Sequence, residues 1–227
     1  GTSGYDEAMS STELRPSLTL PGPWRAVISD MDGLLVRTDP TWVRAKVTLF
    51  ERHGVEFRDS DQRAVFGAAE IHSATYFTRR FGLPDSEILA VRREYMDIVH
   101  ELFREPVEVN AGAGELLTRL SGTVPLGLAS NTRRSLVDEV LANTPFAHLF
   151  DAITTGDEAD PKPAPGVYLL ACERLGVHPR EAVALEDSPV GVQAAKAAGL
   201  SCIGIPSDPE APLTEADYQL DSLTQLL

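Results

Sequence analysis

Two carboxylates stand one residue apart in Asp30-Met31-Asp32-Gly33, at the end of the short β-rich run Trp24-Arg25-Ala26-Val27-Ile28. A strand that leaves the core on neighbouring carboxylates carries a repulsion that something must neutralise. A divalent cation bound through oxygen is the natural candidate. Three later segments supply what a phosphoryl-transfer site would still lack. Ala129-Ser130-Asn131-Thr132 brings hydroxyls at the start of a helical stretch, and Lys162-Pro163-Ala164-Pro165 brings a cation with proline on both sides. Leu185-Glu186-Asp187-Ser188-Pro189-Val190-Gly191 brings a second acidic pair.

These residues need elements that carry them to one place. Val124–Ala129, Asp151–Thr155, Glu181–Leu185 and Ser201–Ile205 read as short apolar strands. Helical patterns lie between them near residues 112–121, 132–143, 164–176 and 189–198, with Gly122, Gly176 and Gly199 placed to end three of them. Strand alternating with helix predicts an α/β fold, a doubly wound parallel sheet with right-handed crossovers. Ligands in such sheets bind beyond the carboxyl ends of the strands, where Asp30, Ser130 and Glu186 fall. Residues 38–109 break the alternation. They show no convincing strand and read as helices near 40–53, 60–66, 70–82 and 85–104, with breaks at Gly54, Gly67 and Gly82-Leu83-Pro84. The expected division is a core of residues 22–37 and 110–227 with an inserted helical unit at 38–109.

Composition bounds the function. The chain has 227 residues, enough for one good-sized domain and a smaller one, and 43% of them are hydrophobic, which is globular. A net charge of −14 argues against nucleic acid or an anionic membrane surface as the main partner. A phosphorylated small molecule stays open, because local charge in a cleft decides that. Cys172 and Cys202, both in apolar surroundings, read as buried free thiols. No apolar run reaches membrane-spanning length, and residues 1–21 lack a signal-peptide core. The expectation is a cytoplasmic monomer or dimer, with Gly1-Thr2-Ser3-Gly4 as a cloning remnant and residues 1–21 as a mobile tail.

The four motifs, in this order and at strand ends, together resemble the signature of the haloacid dehalogenase (HAD) superfamily in its phosphatase branch. Asp30-Met31-Asp32-Gly33-Leu34-Leu35 and Glu186-Asp187-Ser188-Pro189-Val190-Gly191-Val192 look most like the subgroup of small sugar-phosphate phosphatases, phosphoglycolate phosphatase and β-phosphoglucomutase. The resemblance covers residues 24 to about 205 and implies a Rossmann-like core, with the helical insert as a cap. It departs from the subgroup at Arg37 and Gly166, where aspartates are usual, at Trp42, where the mutases are expected to carry histidine, and at Glu70, where they carry a cap arginine.

On that resemblance the expected reaction is hydrolysis of a small phosphorylated metabolite through an aspartyl-phosphate. Asp30 is the expected nucleophile and Asp32 the general acid and base. Gly33 permits the turn and a close backbone approach to phosphate. Ser130, with the backbone amides of Asn131 and Thr132, would bind the phosphoryl group, although Ser-Asn-Thr alone is an ordinary helix cap. Lys162 would set a cation beside Asp30. Asp30, the Asp32 backbone carbonyl, Glu186 and Asp187 would hold Mg²⁺, since oxygen-only ligands favour it over zinc. Thr38, Trp42 and His72 are further candidates to line the substrate cleft. Ten of the chain's 20 basic residues fall in 38–110, which suggests that one of them, Arg93, reaches down to select the substrate's remote end. Three rivals share part of this arrangement. A sugar-phosphate mutase would differ in its cap residues. A hydrolytic dehalogenase needs neither Asp32 nor a metal. A phosphorylatable signalling domain has no use for a cap.

Overall fold

The computed structural model describes residues 24–66 and 68–227, so the expected tail and the expected break at Gly67 lie outside the described residues. The elements run β1 (Ala26–Ser29), β2 (Val36–Arg37), α1 (Asp39–Arg52), α2 (Asp59–Val65), α3 (Glu70–Arg80), α4 (Ile88–Leu102), β3 (Glu108–Val109) and α5 (Ala113–Leu120). They continue β4 (Leu126–Ser130), α6 (Arg134–Ala142), β5 (Ala152–Thr155), α7 (Gly166–Leu175), β6 (Ala182–Glu186), α8 (Pro189–Ala198), β7 (Ser201–Gly204) and β8 (Tyr218–Gln219).

Six strands form one parallel sheet in the order β5-β4-β1-β6-β7-β8. The chain builds outward from β1 through β4 and β5, then returns to the other side of β1 for β6, β7 and β8. That reversal beside β1 is the place where such sheets open a crevice. Residues alternate between two apolar clusters along each central strand. Ala26 and Ile28 of β1 and Ala182 and Ala184 of β6 face Tyr168, Val192 and Ala195 of α7 and α8. Val27, Val183 and Leu185 face the larger cluster that includes Leu116, Leu136 and Val137. Burial on both faces is why these strands read as continuous apolar runs.

Register sets the level of the chemistry. Ser29 pairs with Leu128 of β4 and with Leu185 of β6. The next residue, Asp30, therefore comes off the sheet level with Glu186 and one step short of Ser130.

Helices α1 to α4 lie between β2 and β3. They pack around aromatic rings, with Phe50 meeting Phe57, Phe77 and Phe81 at centroid distances of 4.9, 5.5 and 4.9 Å, and Phe77 meeting Tyr95 at 5.3 Å. The chain leaves the sheet unit at β2 and comes back at β3, and these two strands pair antiparallel, Val36 with Val109 and Arg37 with Glu108. Asn110 fastens the join: its amide donates to the carbonyls of Gly33 and Leu34 at 2.9 and 2.8 Å. Glu108–Val109 corrects the expectation of no strand in 38–109. A strand of two residues, within Val107-Glu108-Val109-Asn110, is too short for its alternation to stand out. Two-residue β8, exposed at the sheet edge, is likewise too short to show a period. The helix expected at 85–104 begins as a 3₁₀ turn at Asp85–Glu87 before α4. Cys172 and Cys202 are both buried and free.

Candidate active site

The turn after β1 is built to hold two carboxylates apart. Asp30 is tied to the sheet, its amide donating to the Leu185 carbonyl at 3.0 Å. Met31 is wholly buried and anchors the turn, and Gly33 closes it, its amide donating to the Val36 carbonyl at 2.8 Å. Gly33 has φ +81°, and a Cβ there would stand 2.2 Å from Asp187 Oδ2. Only glycine fits both the left-handed backbone and that approach.

Asp30 belongs to a buried cluster of charges. Lys162 Nζ donates to Asp30 Oδ1 at 2.7 Å and to Glu186 Oε1 at 2.6 Å. The Tyr168 hydroxyl donates to that same Glu186 oxygen, and the other, Oε2, is buried without a hydrogen-bond partner among the described residues. Carboxylate oxygens of Asp30, Glu186 and Asp187 lie within 4.8 Å of one another. Burial works against the charge on Lys162, but the Asp30 and Glu186 carboxylates outweigh it and raise its pKa. Burial also pushes Glu186 up to about 7 against the pull of Lys162, with Asp30 adding repulsion. Asp187 is pushed up to about 9 by burial and by repulsion from Asp30 and Glu186. One ammonium thus leaves three crowded carboxylates short of positive charge. A hard cation with oxygen ligands fits that deficit and the unpartnered Glu186 oxygen.

Asp32 sits in a different environment. Thr38 Oγ1 donates to its Oδ1 at 2.5 Å, Thr132 Oγ1 to its Oδ2 at 3.0 Å, and Ser130 Oγ to Oδ2 at 3.4 Å. Burial, then repulsion from Asp30, raises the Asp32 pKa, and the hydrogen bonds of Thr38, Thr132 and the Trp42 side chain only partly offset this. Its carboxyl thus titrates above the ordinary carboxylate range, and its hydrogen-bond partners are hydroxyls where those of Asp30 include the Lys162 ammonium.

The structure redistributes several expected roles. Thr38, expected to bind substrate, is wholly buried and gives its hydroxyl to Asp32. The Asn131 side chain clamps the Lys162 backbone, its Oδ1 accepting from Lys162 N at 2.7 Å and its Nδ2 donating to Lys162 O at 3.0 Å, which leaves the backbone amide for the expected phosphoryl role. The Asp32 carboxylate stands outside the acidic trio, so only its backbone carbonyl is left for the expected metal role. Ser130 is buried, its hydroxyl accepting from the Thr132 amide at 3.1 Å. Trp42 lies over this region, its ring 5.2 Å from Phe103 and 6.5 Å from Tyr95.

Arg93 and His72 are not brought to the site. Both are exposed. Arg93 lies on the side of α4 opposite the buried Val91, Tyr95, Ile98 and Val99. Arg92, one position round, is the arginine that turns inward. Its Nη2 meets Glu70 Oε2 of α3 at 3.0 Å, and Arg133, at the start of α6, grips the same carboxylate. The sequence does not show Tyr168, the bond from the Thr132 hydroxyl to Asp32, or the pairing of Glu70 with Arg133. Thr132 stood in view inside Ser130-Asn131-Thr132, whereas nothing local marks Tyr168 or Glu70 as partners of residues elsewhere in the chain.

A cleft of about 1090 Å³ runs between α1 and the segment Asp221–Leu223, touching Gly33 and Ser207. Its walls include neither Asp30 nor Asp32, so it adjoins the charged cluster without containing it.

Comparison with known proteins agrees with this geometry. Validoxylamine A 7'-phosphate phosphatase of Streptomyces hygroscopicus subsp. limoneus is 32% identical over 207 residues, 89% of this chain and 96% of its own length. The phosphorylated carbohydrates phosphatase of Thermotoga maritima is 33% identical over 184 residues, 78% of this chain and 83% of its own. Among solved structures, CbbY from Rhodobacter sphaeroides in complex with phosphate superposes with a TM-score of 0.78 at 28% identity, covering 89% of this chain and 96% of that one. The family model for haloacid dehalogenase-like hydrolases matches residues 27–205. With its sheet order, its acidic strand ends and this match in hand, the chain belongs to the haloacid dehalogenase-like hydrolases.

Proposed function

We propose that this protein is a Mg²⁺-dependent phosphatase that hydrolyses the monoester of a small phosphorylated metabolite, of the sugar phosphate, polyol phosphate or phosphoglycolate type. The observation that carries the reading is the contrast between two carboxylates on one turn. Asp30 lies 2.7 Å from the Lys162 ammonium, while Asp32 is ringed by hydroxyls and pushed toward its protonated form. Two carboxyl groups held in unlike environments divide the work of nucleophile and acid.

In this reading Asp30 attacks phosphorus in line, and the bond to the ester oxygen breaks. Asp32 gives its proton to the departing oxygen, and the product alcohol leaves. The phosphoryl group is now on Asp30. Asp32, ionised, takes a proton from water as that water attacks phosphorus. The bond to Asp30 breaks, its carboxylate is restored, and inorganic phosphate leaves. Lys162 holds Asp30 in position and neutralises charge beside it, and Ser130 offers a hydroxyl to the phosphoryl oxygens. Asp30, Glu186 and Asp187, with the Asp32 backbone carbonyl, would hold Mg²⁺, which when bound supplies positive charge to the transferring group.

A panel of phosphate monoesters assayed for released inorganic phosphate, with Mg²⁺ and with chelator, tests the reading. Release that needs Mg²⁺ is the expected result. A sugar-phosphate mutase would share the core but convert one isomer to another with little net phosphate, and product analysis separates the two.

A further inference from the structure

Helix α3 and the sheet unit meet on a single carboxylate. Glu70 Oε2 accepts from Arg92 Nε at 3.3 Å and Nη2 at 3.0 Å. Arg133 Nε donates to Glu70 Oε1 at 2.8 Å, and Arg133 Nη2 to Oε2. Four N–H groups thus converge on one carboxylate, which fills its acceptor capacity. Two guanidinium forks turned toward one point are the arrangement that recognises a phosphate or a carboxylate. Here the chain's own side chain already occupies that point.

The place is close to the chemistry. Arg133 follows Thr132, whose hydroxyl holds Asp32. The residue that grips Glu70 is thus the chain neighbour of one that meets Asp32.

We infer that Glu70 is a specificity-determining residue: it fills the Arg92–Arg133 fork and so turns away substrates with a second anionic group at the end remote from the transferred phosphoryl. A second phosphate arriving there finds the fork's donors taken and the Glu70 carboxylate in its place, and such juxtaposition is costly. A remote end made of hydroxyls meets no such charge. The inference rests on the phosphatase reading and narrows it to monophosphates of neutral polyols or sugars.

The test compares kcat/KM for fructose 1,6-bisphosphate with that for fructose 1-phosphate, in the wild type, in Glu70→Gln and Glu70→Ser, and in Glu70→Gln combined with Arg133→Gln. Removing the carboxylate frees the fork, so the bisphosphate-to-monophosphate ratio is expected to rise about tenfold or more in both single variants. It should fall back in the double variant. A ratio that stays put while both substrates change together would mean that Glu70 only fastens α3 to the core, and overturns the inference. So does a gain that survives loss of Arg133. The ratio of the two dissociation constants, measured by calorimetry on the same proteins, keeps the two readings apart. A shifted binding ratio without turnover of either sugar retains the filled fork and overturns the phosphatase. An unmoved binding ratio overturns the filled fork whatever the turnover.

Discussion

Glu186 Oε2 lies so close against Gly191 that a Cβ on that glycine would stand 1.8 Å from it. Gly191 is the third residue of α8, which begins at Pro189 and is capped by Ser188, whose side chain accepts from the Gly191 amide. In an ordinary helix, alanine for glycine stabilises by roughly 0.8–1.0 kcal/mol. Here the sign should reverse, because a methyl group has to expel a buried carboxylate that also holds Lys162 and Tyr168. Gly191→Ala is expected to lower the melting temperature and weaken Mg²⁺ dependence of activity together. Thermal melts and a Mg²⁺ titration check this, and a more stable variant with wild-type Mg²⁺ response would show that the contact is unimportant.

Asp32 is held by Thr38 and Thr132. If it donates and accepts the proton, Asp32→Asn should slow hydrolysis of an alkyl phosphate by about two to four orders of magnitude. A leaving group that needs no proton should recover part of the loss in the first half-reaction only. Thr38→Val, which keeps the shape and removes the donor, should give a smaller loss and shift the pH profile. Wild-type rates on an alkyl phosphate in Asp32→Asn would remove Asp32 from the mechanism.

The crowded carboxylates make a statement about stability. Glu186 and Asp187 are pushed up to about 7 and about 9 in the folded protein without metal, against ordinary values of 4.5 and 3.8. A folded-state pKa above the unfolded one means that the folded state holds more protons between the two. Without metal, this contribution is complete at low pH and is lost as pH rises through about 7 and about 9. A bound cation replaces those protons. The difference in melting temperature between Mg²⁺ and chelator should therefore widen from about pH 6 to about pH 9. A difference that is constant or shrinks would contradict the assignment of Glu186 and Asp187 to the metal.

Much of this arrangement could be read from the chain, and the reason is local. The central strands are buried on both faces, so Val183-Ala184-Leu185 and Leu126-Gly127-Leu128 stand out as apolar runs, and the polar residue that ends each run marks the carboxyl edge of the sheet. Helix ends at Gly176 and Gly199 follow from their left-handed backbones. Pairings between distant side chains were not legible. Tyr168 meets Glu186 across 18 residues and Arg133 meets Glu70 across 63, and neither spacing leaves a period in the sequence. Arg93 was a different kind of miss. The spacing of Val91, Tyr95, Ile98 and Val99 already sets the inward face of α4, and that phase places Arg92 nearer to it than Arg93.

Hydrolysis by this route passes the phosphoryl group through Asp30. The most direct measurement is peptide mass spectrometry of acid-quenched enzyme during turnover, on wild type and on Asp32→Asn, where loss of the base should let the phosphoenzyme accumulate. The expected result is a phosphate on Asp30, higher in Asp32→Asn, with Asp30→Asn folded and inactive. A phosphate on another residue, or undiminished phosphate release by Asp30→Asn, would contradict it.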